Sequence, residues 1–170
     1  MEIRKTILTT AMMYKGQKEK PGNSGFVNPN FEKEMLEVGW KVGESWCAYF
    51  VKLVFKKSLS PQLIGFYNLI SPSAVATYSN FRDKSPRNIS KVPSEGDIFI
   101  MQKYKGGHKT WQGHIGLVAQ VENDSFWTLE GNSNAQGGRE GVEVASLKRK
   151  IDFVVKPNGL TLIAFIKPIV

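Results

Sequence analysis

The stretch GESWCAYFVKLVF, residues 43–55, sets the reading of this chain, because it puts the only cysteine, Cys47, at the head of an apolar run. Cys47, Phe50, Val51 and Val54 recur at helical spacing and share a face. The pattern predicts a helix from about Ser45 to Lys57, with Ser45 as its N-cap and the thiol turned to the core side. A thiol at this end of a helix lies in the positive end of the helix dipole, which favours the thiolate, the nucleophilic form. A lone cysteine is more often a small buried hydrophobe than a reactive group. The weight of Cys47 therefore depends on what the rest of the chain supplies.

Upstream, residues 2–14 read as an amphipathic helix with Ile3, Ile7, Leu8 and Ala11 on one face, ended by Gly16. Residues 20–30 are turn-rich, and residues 31–38 form a short helix stopped by Gly39. Residues 72–81 predict another, started by Pro72 or Ser73. After Pro93 the pattern changes. DIFIMQ (97–102), HIGLVAQV (114–121), SFWTLE (125–130), GVEVAS (141–146) and LIAFIK (162–167) have strand composition and are joined by short polar or glycine-bearing turns. Helices first and a mostly antiparallel sheet second is an α+β layout. Its 170 residues suit one domain spanning 1–170.

One cysteine excludes an internal disulfide and a multi-cysteine metal site. The net charge of +8 favours anionic partners, whether nucleic acid, membrane surface or a polyanionic cell wall. The basic residues are scattered, with small clusters at Lys56–Lys57 and Lys148–Lys150 and no interleaving with aromatics. A solvated basic face accounts for this better than a nucleic-acid site. His108 and His114 stand six residues apart across a glycine loop, which is no metal-ligand spacing, and no metal or other cofactor is expected. The opening MEIRKTILTTAMMYKGQ is broken by Thr6, Thr9 and Thr10 and does not read as a secretory signal, and no run approaches a membrane span.

Two further segments complete a chemical set. In GHIGLVAQV, Ile115, Leu117, Ala119 and Val121 form a core-facing row, while His114, Gly116, Val118 and Gln120 face the other way. Gly116 permits close approach beside His114 by another backbone or side chain, such as the Cys47 helix. In FWTLEGN, Phe126, Thr128 and Glu130 share a face and Gly131 turns the chain. A carboxylate stabilises an imidazolium better than an amide does, so Glu130 is the expected orienting group. Asn132 is the alternative, or a fourth member near the histidine or an oxyanion. Thiol, imidazole and carboxylate are the parts of a cysteine hydrolase. Trp111, whose loop KYKGGHKTWQG leads into His114, is the first candidate for substrate contact. Trp46, beside the thiol, is the second, although packing in the core or at the cleft rim is the preferred reading for it and for Trp127. Asp97 reads as a turn or strand-start residue.

WCAYFV with Cys47, GDIFI with Asp97, GHIGLV with His114, and LEGN with Glu130 and Asn132 occur in an order that resembles the CHAP family, the cysteine, histidine-dependent amidohydrolases/peptidases. The resemblance covers about residues 40–135, flanked by the helices of 2–38 and the strands of 141–167. It implies a papain-like, NlpC-like fold with the nucleophile at a helix N-terminus packed on the sheet. It implies nucleophile Cys47, base His114 and orienting Glu130, with Asn132 assisting. It also implies cleavage of an amide bond in bacterial peptidoglycan, in the stem peptide or cross-bridge or between muramic acid and L-alanine. NlpC-like relatives often use a second histidine as third member, but no histidine follows His114 here. No calcium-ligand cluster stands upstream of Cys47. Without a signal peptide, a phage lysin or an antibacterial effector is expected, with delivery machinery and an inhibitor or immunity protein as further partners. The rival expectations are a non-catalytic wall-binding module and a cysteine peptidase or transamidase acting on protein.

Overall fold

The computed structural model describes residues 2–133 and 141–168. Helix α1 is Glu2–Met13 and buries Ile7 and Ala11. Helix α2, Pro29–Glu37, starts two residues before the sequence expectation. Asn28 accepts hydrogen bonds from the N–H groups of Asn30 and Phe31, and Pro29 supplies the φ of a first helical position. Helix α3 is Cys47–Lys57, α4 is Ile64–Tyr67 and α5 is Ala74–Lys84. The hydroxyl of Ser73 caps α5 by accepting from the Ala76 N–H.

Helix α3 buries Cys47, Ala48, Tyr49, Phe50, Val51, Leu53, Val54 and Phe55, so it is surrounded rather than laid on one face. Its N-cap position is held by Trp46 without a side-chain cap. Ser45 is therefore not the N-cap, because its hydroxyl is engaged by the side-chain amide of Asn132 at 2.8 Å.

The strands are β1 (Ile89–Ser90), β2 (Ile98–Lys105), β3 (His108–Val121), β4 (Ser125–Ser133), β5 (Glu143–Ala145), β6 (Lys148–Lys150) and β7 (Leu160–Ile166). They form one sheet in the order β1-β7-β2-β3-β4-β5, with β6 also paired to β4, and every pairing is antiparallel. The architecture is thus α+β, helices followed by an antiparallel sheet. Strand β3 begins at His108, not at His114. Gly106 and Gly107, at φ +57° and +78°, make a two-residue turn that pairs Lys105 with His108, so the expected loop is a hairpin.

Two apolar layers flank the sheet. On the helix side lie Ile98, Ile100, Ile115, Leu117 and Leu129 with the faces of α1, α2, α3 and α5. On the other side lie Phe99, Met101, Val118, Phe126, Leu162 and Phe165. Arg4 of α1 reaches the turn before β2, where its guanidinium meets the fully buried carboxylate of Asp97 at 2.6 Å. Asp97 also accepts the Ser94 N–H at 2.8 Å, a strand-start role. Among the described residues no helix is long and apolar enough to cross a membrane.

Candidate active site

The ladder between β3 and β4 runs from the pair Val121–Phe126 to Leu117–Leu129 and stops there. His114 and Ile115 lie beyond it on β3, and Glu130 to Asn132 lie beyond it on β4. The N-terminus of α3 meets the sheet at this split. Its close approach is made possible by Gly131, where a Cβ would stand 2.5 Å from the Cβ of Phe50 and 2.7 Å from the ring of Trp46. The expectation that Gly116 admits this helix is corrected. A Cβ at Gly116 would meet Phe99 at 2.7 Å and Glu130 at 3.0 Å, so that glycine makes room for the carboxylate behind the histidine.

The sulfur of Cys47 is nearly buried, with the residue 8% exposed. The His114 ring, the Ile115 backbone and the Ser45 hydroxyl are the neighbours that favour its thiolate form. Burial pushes the thiol up, but the three contacts and the charge of His114 outweigh it and bring Cys47 below its ordinary value. Ile115 lies past the end of the β3–β4 ladder, and its backbone favours the thiolate of Cys47. The first bond of α3 runs from the Phe50 N–H to the Trp46 carbonyl, so the N–H groups of Cys47, Ala48 and Tyr49 find no acceptor within the helix.

The Nε2 atom of His114 lies 2.6 Å from Oε2 of Glu130, which leaves Nδ1 to face the thiol. Burial disfavours the imidazolium, yet Glu130 and the thiolate raise His114 to about 9. Glu130 has no exposed surface. Its Oε1 accepts from Thr128 at 2.6 Å and from Nε of Arg149 at 2.5 Å, and its Oε2 accepts from Nη2 of Arg149 at 2.6 Å. The hydroxyl of Ser133 stands 3.4 Å from Oε2. Burial works against this carboxylate, but Arg149 and His114 hold it well below the usual range. Thiol, imidazole, carboxylate and guanidinium therefore form one line, in which Glu130 favours the imidazolium and the imidazolium favours the thiolate. A buried ion survives only when paired in this way.

Asn132 does not touch the imidazole. Its backbone takes the left-handed conformation, φ +53°, where the register of β4 against β5 shifts between Glu130 and Ser133. This turns its side-chain amide to Ser45 on the sulfur side of the site. Ser45, Cys47, Pro72, Ser73, Ala74, Trp111, Gln112, Gly113, His114 and Asn132 line a cleft of about 120 Å³. Trp111 stands at its mouth, 80% exposed.

Trp46 requires a correction as a substrate contact. It has no exposed surface and packs against Phe26, with ring centroids 5.1 Å apart, while its indole N–H donates to Glu19. An indole wedged between the aromatic core and Gly131 cannot reach a ligand.

Sequence reasoning missed two groups. Arg149 stands inside the basic cluster 148–150, and only the pairing of β6 with β4, which sets Arg149 opposite Phe126, brings it to Glu130. Ser45 was legible only as a helix cap. Among the described residues no group of three or more His, Cys, Asp or Glu side chains is arranged to hold a metal ion.

The arrangement can hold a thiolate beside an imidazolium, pass a proton between sulfur, nitrogen and a bound group, and keep the ring fixed meanwhile. A model of the CHAP domain family matches residues 39–132, which spans Cys47, His114, Glu130 and Asn132. No curated protein and no solved structure matches the chain.

Proposed function

Since the chain belongs to the CHAP domain family, whose members are in general amidases and peptidases of peptidoglycan, we propose that it is a cysteine hydrolase cutting one amide bond of the bacterial cell wall. The bond lies in the stem peptide or cross-bridge, or joins muramic acid to L-alanine. The observation that carries the reading is the charged line from Cys47 through His114 and Glu130 to Arg149, opening on a cleft beside an exposed tryptophan. Charges this deeply buried cost several kcal/mol each, of order, and a thiolate placed among them at the cleft wall is the part that chemistry can use.

In this reading the fold is papain-like, the whole chain is one catalytic domain, and Cys47 at the head of α3 is the nucleophile. The thiolate attacks the amide carbonyl carbon. The tetrahedral intermediate collapses, the C–N bond breaks, and Nδ1–H of His114 protonates the leaving amine. His114, now neutral, takes a proton from water, which attacks the thioester and releases the acid and the thiolate. Glu130 holds the ring throughout and neutralises its charge when protonated. Trp111 offers a face for substrate at the mouth. The site of action is the wall side of a bacterial membrane, reached by phage lysis or by secretion as an antibacterial effector.

The test is digestion of purified walls by wild-type and Cys47→Ala protein, with new amines and carboxylates counted and fragments identified by mass spectrometry. Wild type releases fragments with one new amine per cut, and Cys47→Ala binds walls and releases none. Undiminished cleavage by Cys47→Ala overturns the reading. Cleavage of an unstructured protein with walls left intact reassigns the same chemistry to protein substrates.

A further inference from the structure

A serine just before a helix ordinarily spends its hydroxyl on capping. Ser45 does not, since Trp46 holds the cap position and no side-chain cap forms. The Ser45 hydroxyl instead accepts a hydrogen bond from Nδ2 of Asn132 at 2.8 Å. A hydroxyl has one proton to give and two lone pairs. With a lone pair taken by Asn132, the O–H remains free to donate into the cleft that Ser45 lines together with Cys47. Asn132 reaches it with its backbone in the left-handed region, a conformation that costs a non-glycine residue free energy. Ser45 is itself exposed and lines the cleft with Cys47 and His114, so a substrate carbonyl meets it there. Among the described residues that line the cleft, His114 is the only side chain that can carry positive charge. A second donor for a developing oxyanion must then come from a neutral group.

We propose that the Ser45 hydroxyl, aimed by Asn132, is a catalytic hydrogen-bond donor that follows the negative charge from the Cys47 sulfur to the substrate oxygen. In the resting site it donates to the thiolate. As the C–S bond forms, the carbonyl π pair moves onto oxygen, and the O–H turns to that oxygen beside the free N–H groups at the head of α3. When the C–N bond breaks and the carbonyl reforms, the donor returns toward sulfur. Ser45 keeps its proton through the cycle, and Asn132 is a positioning residue that acts through it. This rests on the amide-cleaving reading of the same site.

The test has two arms. In the first, which needs no substrate, the rate of Cys47 alkylation by iodoacetamide is followed against pH. Ser45→Ala moves the rise of that profile to higher pH, and Ser45→Thr leaves it in place. An unchanged profile in Ser45→Ala overturns the resting contact. In the second, wall cleavage by Ser45→Ala shows kcat reduced about 10- to 100-fold with KM little altered, and Ser45→Thr retains most of the rate. A wild-type kcat in Ser45→Ala overturns the role in attack. Asn132→Ala lowers kcat in the wild-type background and adds nothing in the Ser45→Ala background. Losses that simply multiply overturn the positioning role. If wild-type protein cleaves neither wall nor peptide, the amide-cleaving reading falls, while the alkylation arm still judges the contact. Ser45 is exposed and caps no helix, so its alanine variant keeps the fold.

Discussion

A carboxylate without exposed surface sits between two cations at Glu130, and each cation limits what the other does. Arg149 holds both oxygens in a fork, so the carboxylate cannot rotate away from His114, and its charge also draws off part of the field that stabilises the imidazolium. Removing it has a signed consequence. In Arg149→Met the imidazolium loses a repelling neighbour, so the alkaline limb of the kcat/KM profile, near the value of about 9 held by His114, moves to higher pH. The same change leaves Glu130 with one buried partner fewer and lowers stability by about 3 kcal/mol, as read by denaturant unfolding. Cys47, His114 and Glu130 were legible as a set rather than singly: a thiol before an apolar helical run, a histidine on an alternating strand and a carboxylate on a strand-like run, in the order that the family resemblance carries. The structure places His114 within β3 and Glu130 within β4 rather than at strand ends. Arg149 has no such signal. It lies 19 residues beyond Glu130, and nothing short of the strand register distinguishes it from Lys148 and Lys150. Ser45 was misread for the opposite reason, since its local pattern is that of a cap and only Asn132, 87 residues away, withdraws it from that role.

At the level of elements, the site exists because α3 can press its first turn into the split between β3 and β4. Gly131 sets that distance. Gly131→Ala places a methyl group 2.5 Å from the Cβ of Phe50, and backbone must shift to accept it. Overpacking of this kind costs about 1–3 kcal/mol, measurable by thermal unfolding. Because the shift falls between sulfur and imidazole, kcat should fall further than the stability loss explains at a temperature where the variant is fully folded. Helices α1, α2, α3 and α5 and strands β2, β3, β4, β5 and β7 were readable from periodicity and turn residues, whereas the short α4 and β1 were not. The strand β6 was not, since Lys148–Lys150 carries no apolar alternation and is a strand only because β4 offers it an edge. The early start of β3 was hidden by charged and polar residues around Gly106–Gly107, which look like a loop and fold as a tight hairpin.

Across the whole molecule, the buried charges make stability depend on pH in two separable ways. Glu130 is held below its ordinary value, so its contribution is complete above about pH 4.3 and is lost as the pH falls. The His114–Glu130 pair is best isolated in Cys47→Ala, where no thiolate titrates beside it. His114 stays raised there by Glu130, so the pair's contribution is complete below about pH 6.5 and fades as the pH rises through the folded-state value. Urea unfolding of that variant between about pH 5 and 10 should show the decline, and a flat curve would mean that Glu130 does not stabilise the imidazolium. The surplus of positive charge, +8 for the chain, gives wall cleavage a screening dependence, with the rate falling as salt is added. The contact of Arg4 with Asp97 has a practical corollary for anyone grafting this domain into another protein. The family match begins at residue 39, yet the guanidinium that pairs with the buried acid at the start of the second strand comes from residue 4. A graft cut at the boundaries of the match would strand that acid in a dry interior, so the transplantable piece must carry the leading helix with it.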